Sequence, residues 1–111
     1  MINAKDSQNT FYVLDKKNNA PIVFIHGVGL AKEMWSPQID FFKDYNILTY
    51  DLIGHGKTPL KKTGIKIADF VLQLSRLIGE LNFKTIHLVD PNIIELEIEK
   101  FLVLWRLLCS L

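Results

Sequence analysis

The sequence predicts an α/β fold with a mainly parallel sheet, and three observations carry that expectation. From residue 21 onward, β-prone and helical stretches alternate as strand, helix, strand, helix, strand, the order of parallel strands joined by right-handed crossovers. Ile22, Val23, Phe24 and Ile25 form an unbroken apolar run, as strands covered on both faces do. Between residues 65 and 81, apolar side chains fall at 67, 70, 71, 74, 77, 78 and 81, the three-and-four spacing of a helix with one buried face.

Composition limits the chain to one small domain or a piece of a larger one. Its 111 residues are 49% apolar and 23% charged, the balance of a globular protein rather than a disordered one. Thirteen Lys and Arg against twelve Asp and Glu give a net charge of +1, which offers no field to nucleic acid or an anionic membrane. The one cysteine, Cys109, excludes an internal disulfide and a cysteine-based zinc cluster, so a reducing, cytoplasmic setting is expected. No apolar run follows the charges of MINAKDSQNTFYVLDKK, so it does not read as a secretory signal. The most apolar stretch, 101–111, contains Arg106 and is far shorter than the ~20 residues that span a bilayer.

The elements follow in order. Phe11 to Leu14 is β-prone, and the turn residues Lys16, Lys17, Asn18, Asn19 and Pro21 behind it predict an N-terminal hairpin. The central strand, near 22–26, ends at His26-Gly27. A glycine turn follows, then a helix near 36–44 with Ser36 as N-cap, Pro37 at its first position, and Ile39, Phe42 and Phe41 as its inner face. A second strand at 46–50 ends at Asp51, and Gly54, Gly56 and Pro59 break the chain into a loop. The long helix occupies 65–82. A third strand at 84–89 lies between Asn82 and Asp90-Pro91, with His87 read as a satisfied core histidine. Residues 1–89 thus form one unit and 90–111 a divergent tail. In that tail Glu95, Glu97 and Glu99 alternate with Ile94, Leu96 and Ile98 before FLVLWRLLCSL, and its Leu, Glu, Lys and Arg predict an apolar C-terminal helix.

Four features occur together: His26-Gly27-Val28-Gly29 after a buried strand, Trp35 soon after, Asp51-Leu-Ile-Gly54-His55-Gly56-Lys-Thr58 after the next strand, and a long helix leading into Ile86-His87-Leu88-Val89. Over residues 9 to 89 the chain closely resembles the first half of an α/β-hydrolase domain, the family of esterases, lipases, epoxide hydrolases, dehalogenases and C–C hydrolases. Acyl transfer builds negative charge on an oxygen, and preorganised backbone N–H groups stabilise it by ~3 kcal/mol each. The resemblance implies that the Val28 N–H is such a donor, with Gly27 and Gly29 admitting the close main chain. It also implies that Asp51, Gly54 and Gly56 shape the site from behind, and that His26 and His55 hold loops. Neither histidine sits in a spaced set of metal ligands, and no metal or cofactor is expected. Complete relatives in this family act on small-molecule substrates.

The resemblance stops at residue 90. The family's nucleophile stands in GxSxG, a sharp strand-to-helix turn. Here Asp90-Pro91-Asn92-Ile93-Ile94 follows Val89, so Asn92 stands at the nucleophile's place, and Ile94 and Glu95 replace residues that must be small. Of the serines, Ser36 reads as a cap, Ser75 lies within a helix, and Ser7 and Ser110 sit near the termini. The acid and histidine that follow the nucleophile in the family find no counterpart. The chain is therefore expected to lack catalytic residues, as a truncated or frame-shifted coding sequence would produce. Two other readings are a non-catalytic partner protein using the tail, and a dinucleotide module built on Gly27-Val28-Gly29 with Asp51 downstream, although Lys32 stands where that motif needs its third glycine. An uncovered strand at 84–89, or the tail, could also drive self-association.

Overall fold

The computed structural model describes residues 1–15, 20–27, 29, 32–42 and 44–89. Five strands are present: β1 (Ile2–Lys5), β2 (Phe11–Asp15), β3 (Ile22–Ile25), β4 (Ile47–Tyr50) and β5 (His87–Val89). They form one sheet in the order β1-β2-β4-β3-β5. β3 runs parallel to both β4 and β5, whereas β1 with β2 and β2 with β4 are antiparallel. A 3-10 turn at Lys32–Trp35 leads into α1 (Ser36–Phe41), and α2 (Ile67–Glu80) joins β4 to β5.

Strand alternation distributes β3 and β4 between two layers. Val23, Ile25, Leu48 and Tyr50 are buried in one core with Phe70, Val71, Leu74, Leu77 and Ile78 of α2. Phe24 points the other way, its ring 5.3 Å from Trp35 and 6.3 Å from Phe42. α1 and α2 therefore cover opposite faces, as two right-handed crossovers running in opposite directions along a sheet require. α2 ends where Asn82 enters the left-handed region at φ 62°. Its N–H donates to Gly79 O and the Phe83 N–H to Ile78 O, the paired bonds of a Schellman cap.

Four expectations need correction. The hairpin joins β1 to β2, not residues 11–14 to 22–26, and β2 then pairs with β4 in the register Tyr12↔Tyr50. Its turn closes locally, because Asp6 Oδ1 accepts the N–H groups of Gln8 and Thr10 at 2.9 and 2.8 Å, and both sides of β3 are taken by parallel partners. Ser36 is the first residue of α1 rather than its N-cap, since the 3-10 turn runs straight into the helix and the Ser36 hydroxyl donates back to Glu33 O at 2.8 Å. Phe41 is 81% exposed, so Ile39 and Phe42 alone of the predicted face are partly covered. His87 is exposed at the start of the sheet-edge strand, not a core histidine. The tail, 90–111, and the helix expected there lie outside the described residues.

Candidate active site

The loops that leave β3 and β4 meet at the carboxyl ends of adjacent parallel strands, from which the crossovers turn to opposite faces. Ligand crevices of open α/β sheets form at such points. His26, directly after β3, is fully buried. Its Nε2 accepts the Leu52 N–H at 2.9 Å, so the ring proton sits on Nδ1, which donates to Gly27 O at 2.8 Å. Burial pushes the His26 pKa below the ordinary value; the bond to the Gly27 carbonyl opposes this and the neighbouring His55 adds to it. His55 repeats the arrangement in the reverse direction: Nε2 accepts the Gly29 N–H at 2.8 Å, and Nδ1 faces Ile53 O at 3.0 Å. The two rings lie 5.1 Å apart and tie the loop after β3 to the loop after β4 twice.

Asp51 closes the base of this assembly. It is buried, with Oδ2 accepting the Lys57 N–H at 3.1 Å and Oδ1 the Lys32 N–H at 3.3 Å. The carboxylate thus faces main chain, not an open crevice. Gly56 packs directly on it at φ +49°, where an added Cβ would meet Asp51 Cγ at 2.5 Å. Gly54 is also left-handed, at φ +76°, and would bring a Cβ to 3.3 Å from Leu60 Cδ1.

Sequence reasoning missed Gln73. On the inward face of α2, its Oε1 accepts the Ile53 N–H at 3.1 Å, and its Nε2 donates to Asp51 O at 3.0 Å and Thr10 Oγ1 at 3.1 Å. A signal was present: Gln73 follows Phe70 by three and precedes Leu77 by four, so it is a polar residue placed on the buried stripe. Thr58, the last residue of the second motif, accepts the Phe11 N–H on Oγ1 at 2.9 Å, a bond the motif alone did not indicate.

Of the residues expected at the site, His26, Gly27, Gly29, Asp51, Gly54, His55 and Gly56 lie together in these two loops, and Val28 lies outside the described residues. Both nitrogens of each imidazole are engaged by main-chain groups, so in this arrangement neither ring is presented as a metal ligand. Among the described residues no three His, Cys, Asp or Glu side chains gather as a metal site. The Ser7 hydroxyl bonds to Glu80 at 2.9 Å and Ser36 to Glu33, while Ser75 lies within α2.

No family model matches the chain. It is 32% identical over 87 residues to an (E)-2-((N-methylformamido)methylene)succinate hydrolase of Acinetobacter baylyi, an alignment covering 78% of this chain and 33% of that protein. Among solved structures, a bromoperoxidase from Bacillus anthracis superposes with a TM-score of 0.76 at 24% identity, over 87% of this chain and 36% of that one. An α/β-hydrolase enzyme from a deep-sea metagenome library gives a TM-score of 0.66 at 20% identity, over 75% of this chain and 32% of that one. The chain therefore spans about a third of the length of the relatives it matches.

Proposed function

Because the chain belongs to the α/β-hydrolase fold family and carries part of that fold, we propose that it holds the oxyanion side of a hydrolase site for esters or similar small molecules, without the groups that cleave them. The observation that carries this reading is the double imidazole brace, in which His26 holds Leu52 and His55 holds Gly29. It ties Gly29, in the turn after β3, and Leu52, in the loop after β4, to each other's segments. In this reading the Val28 N–H is the oxyanion donor. His26, Gly27, Gly29, Asp51, Gly54, His55 and Gly56 shape its loop and do no chemistry themselves.

Two facts support the inactive half of the proposal. The sequence after Val89 carries Asn92, Ile94 and Glu95 where an elbow needs a nucleophile and small neighbours, and the hydroxyls of Ser7 and Ser36 are spent on Glu80 and Glu33. Without a nucleophile at the elbow, only the modest acceleration of binding and oxyanion contacts is expected. The single cysteine supports a reducing, cytoplasmic setting, and no helix among the described residues is long and apolar enough to cross a membrane.

The test is turnover by this 111-residue polypeptide. With p-nitrophenyl acetate or butyrate it is expected to give no burst and no saturable rate, and a fluorophosphonate probe is expected to label no serine. Stoichiometric labelling of Ser7, Ser36, Ser75 or Ser110, abolished by replacing that serine, would overturn the reading.

A further inference from the structure

A groove of about 360 Å³ opens beside α2, between the first half of that helix, the 53–65 segment and the turn that joins β1 to β2. None of His26, Gly29, Asp51 or His55 lines it. Ile53, Ile65 and Leu72 give it an apolar lining, and Leu72 is 41% exposed. The buried polar groups of its wall are already engaged: Gln73 with Ile53, Asp51 and Thr10, and Thr58 with Phe11.

Its charges do not balance. Lys61, Lys62 and Arg76 line the groove against Asp69 alone. Lys62 Nζ lies 3.0 Å from Asp69 Oδ1, and Asp69 Oδ2 accepts the Lys66 N–H at 2.8 Å, so that carboxylate is taken twice. Lys61 and Arg76 have no anionic partner among the described residues. A guanidinium and an ammonium on an apolar groove complement a ligand with one carboxylate head and an apolar body, since the planar fork of Arg matches a carboxylate in two bonds. The volume sits at the small end of ligand pockets, enough for a body of about eight carbons.

We propose that this groove binds a small amphiphilic monocarboxylate, its head on Arg76 and Lys61 and its chain on Ile53, Ile65 and Leu72. Binding there requires no catalysis, so it stands apart from the fate of the turn at Gly29. It also ties a ligand to Gln73 and hence to the loop that holds both imidazoles.

The experiment is a ¹H–¹⁵N titration of the full chain with octanoate. Expected is a Kd on the order of 1 mM, typical of so small a ligand, with shifts concentrated at Ile65, Leu72, Arg76 and the Gln73 side-chain amide. The double variant Arg76→Gln, Lys61→Gln should weaken binding about tenfold or more; both side chains are exposed, so an unchanged melting curve checks that the variant is folded. Octanol and inorganic phosphate should each bind about tenfold more weakly than octanoate. Equal binding of octanol would show an apolar groove without anion recognition, and equal binding of phosphate a simple anion site. Either result, an unaffected double variant, or shifts centred elsewhere would overturn the proposal.

Discussion

Gly56 and Gly29 both occupy left-handed backbone, yet alanine should separate them. At Gly29, φ +86°, an added Cβ meets nothing within 4 Å, so Gly29→Ala is expected to cost only the left-handed strain of about 1–2 kcal/mol. At Gly56 the Cβ would also strike the buried Asp51 carboxylate, and overpacking adds about 1–3 kcal/mol. Urea unfolding of the two variants checks the order, and equal midpoints would refute the contact with Asp51. His26 gives a pH prediction. Its folded pKa lies below the ordinary value, so the unfolded chain binds the proton more readily. The stability contribution is complete above the unfolded value of about 6.5, declines as pH falls below it, and levels off beneath the folded pKa. Urea midpoints should therefore drop on acidification from neutrality, and the His26 ring proton resonances should titrate below 6.5, the ordinary value; titration at or above it would contradict the brace. The motif residues were legible because glycine and histidine are rare enough to stand out in a pattern. What each histidine bonds to was not, because Leu52 and Gly29 are both 26 residues from their partners.

At the scale of elements, α2 was the most legible feature. Its apolar period predicted the buried Phe70, Val71, Leu74, Leu77 and Ile78, and Asn82 marked its end. Its polar function was hidden, because the value of Gln73 depends on loops 20 and 63 residues away. Gln73→Leu is expected to cost about 2–4 kcal/mol, since it strands the Ile53 N–H and the Asp51 carbonyl in a buried setting. Hydrogen exchange should quicken at Ile53 before it does in β3 and β4. Leu72→Gln, one residue earlier on the exposed face, should stay within about 0.5 kcal/mol. Similar losses for the two variants would show that Gln73 merely fills space. β1 escaped prediction for the converse reason: INAK has no β-branched alternation and becomes a strand through its register with β2, Ile2↔Leu14 to Lys5↔Phe11.

For the molecule as a whole, the alternation of strands and helices was readable, whereas the sheet order β1-β2-β4-β3-β5 was not, because neighbours in a sheet are chosen by crossovers rather than by local sequence. That order leaves two edges of unlike chemistry. β1 carries Lys5 on its edge, a charge of the kind that discourages pairing with another chain. β5 pairs with β3 through Ile22↔His87, Val23↔Leu88 and Phe24↔Val89, and among the described residues no strand lies on its other side. Its residues are one exposed histidine and two partly buried aliphatics, with no lysine, proline or bulge to blunt them. An edge of that kind is a template for a second chain. The polypeptide is therefore expected to self-associate as its concentration is raised, which sedimentation velocity reads directly. His87→Lys places a fixed charge on that edge at an exposed position, so it should weaken association while leaving the melting temperature in place. A chain that stays monomeric at every accessible concentration would show that β5 does not act as a template, and association untouched by His87→Lys would place the contact on another surface.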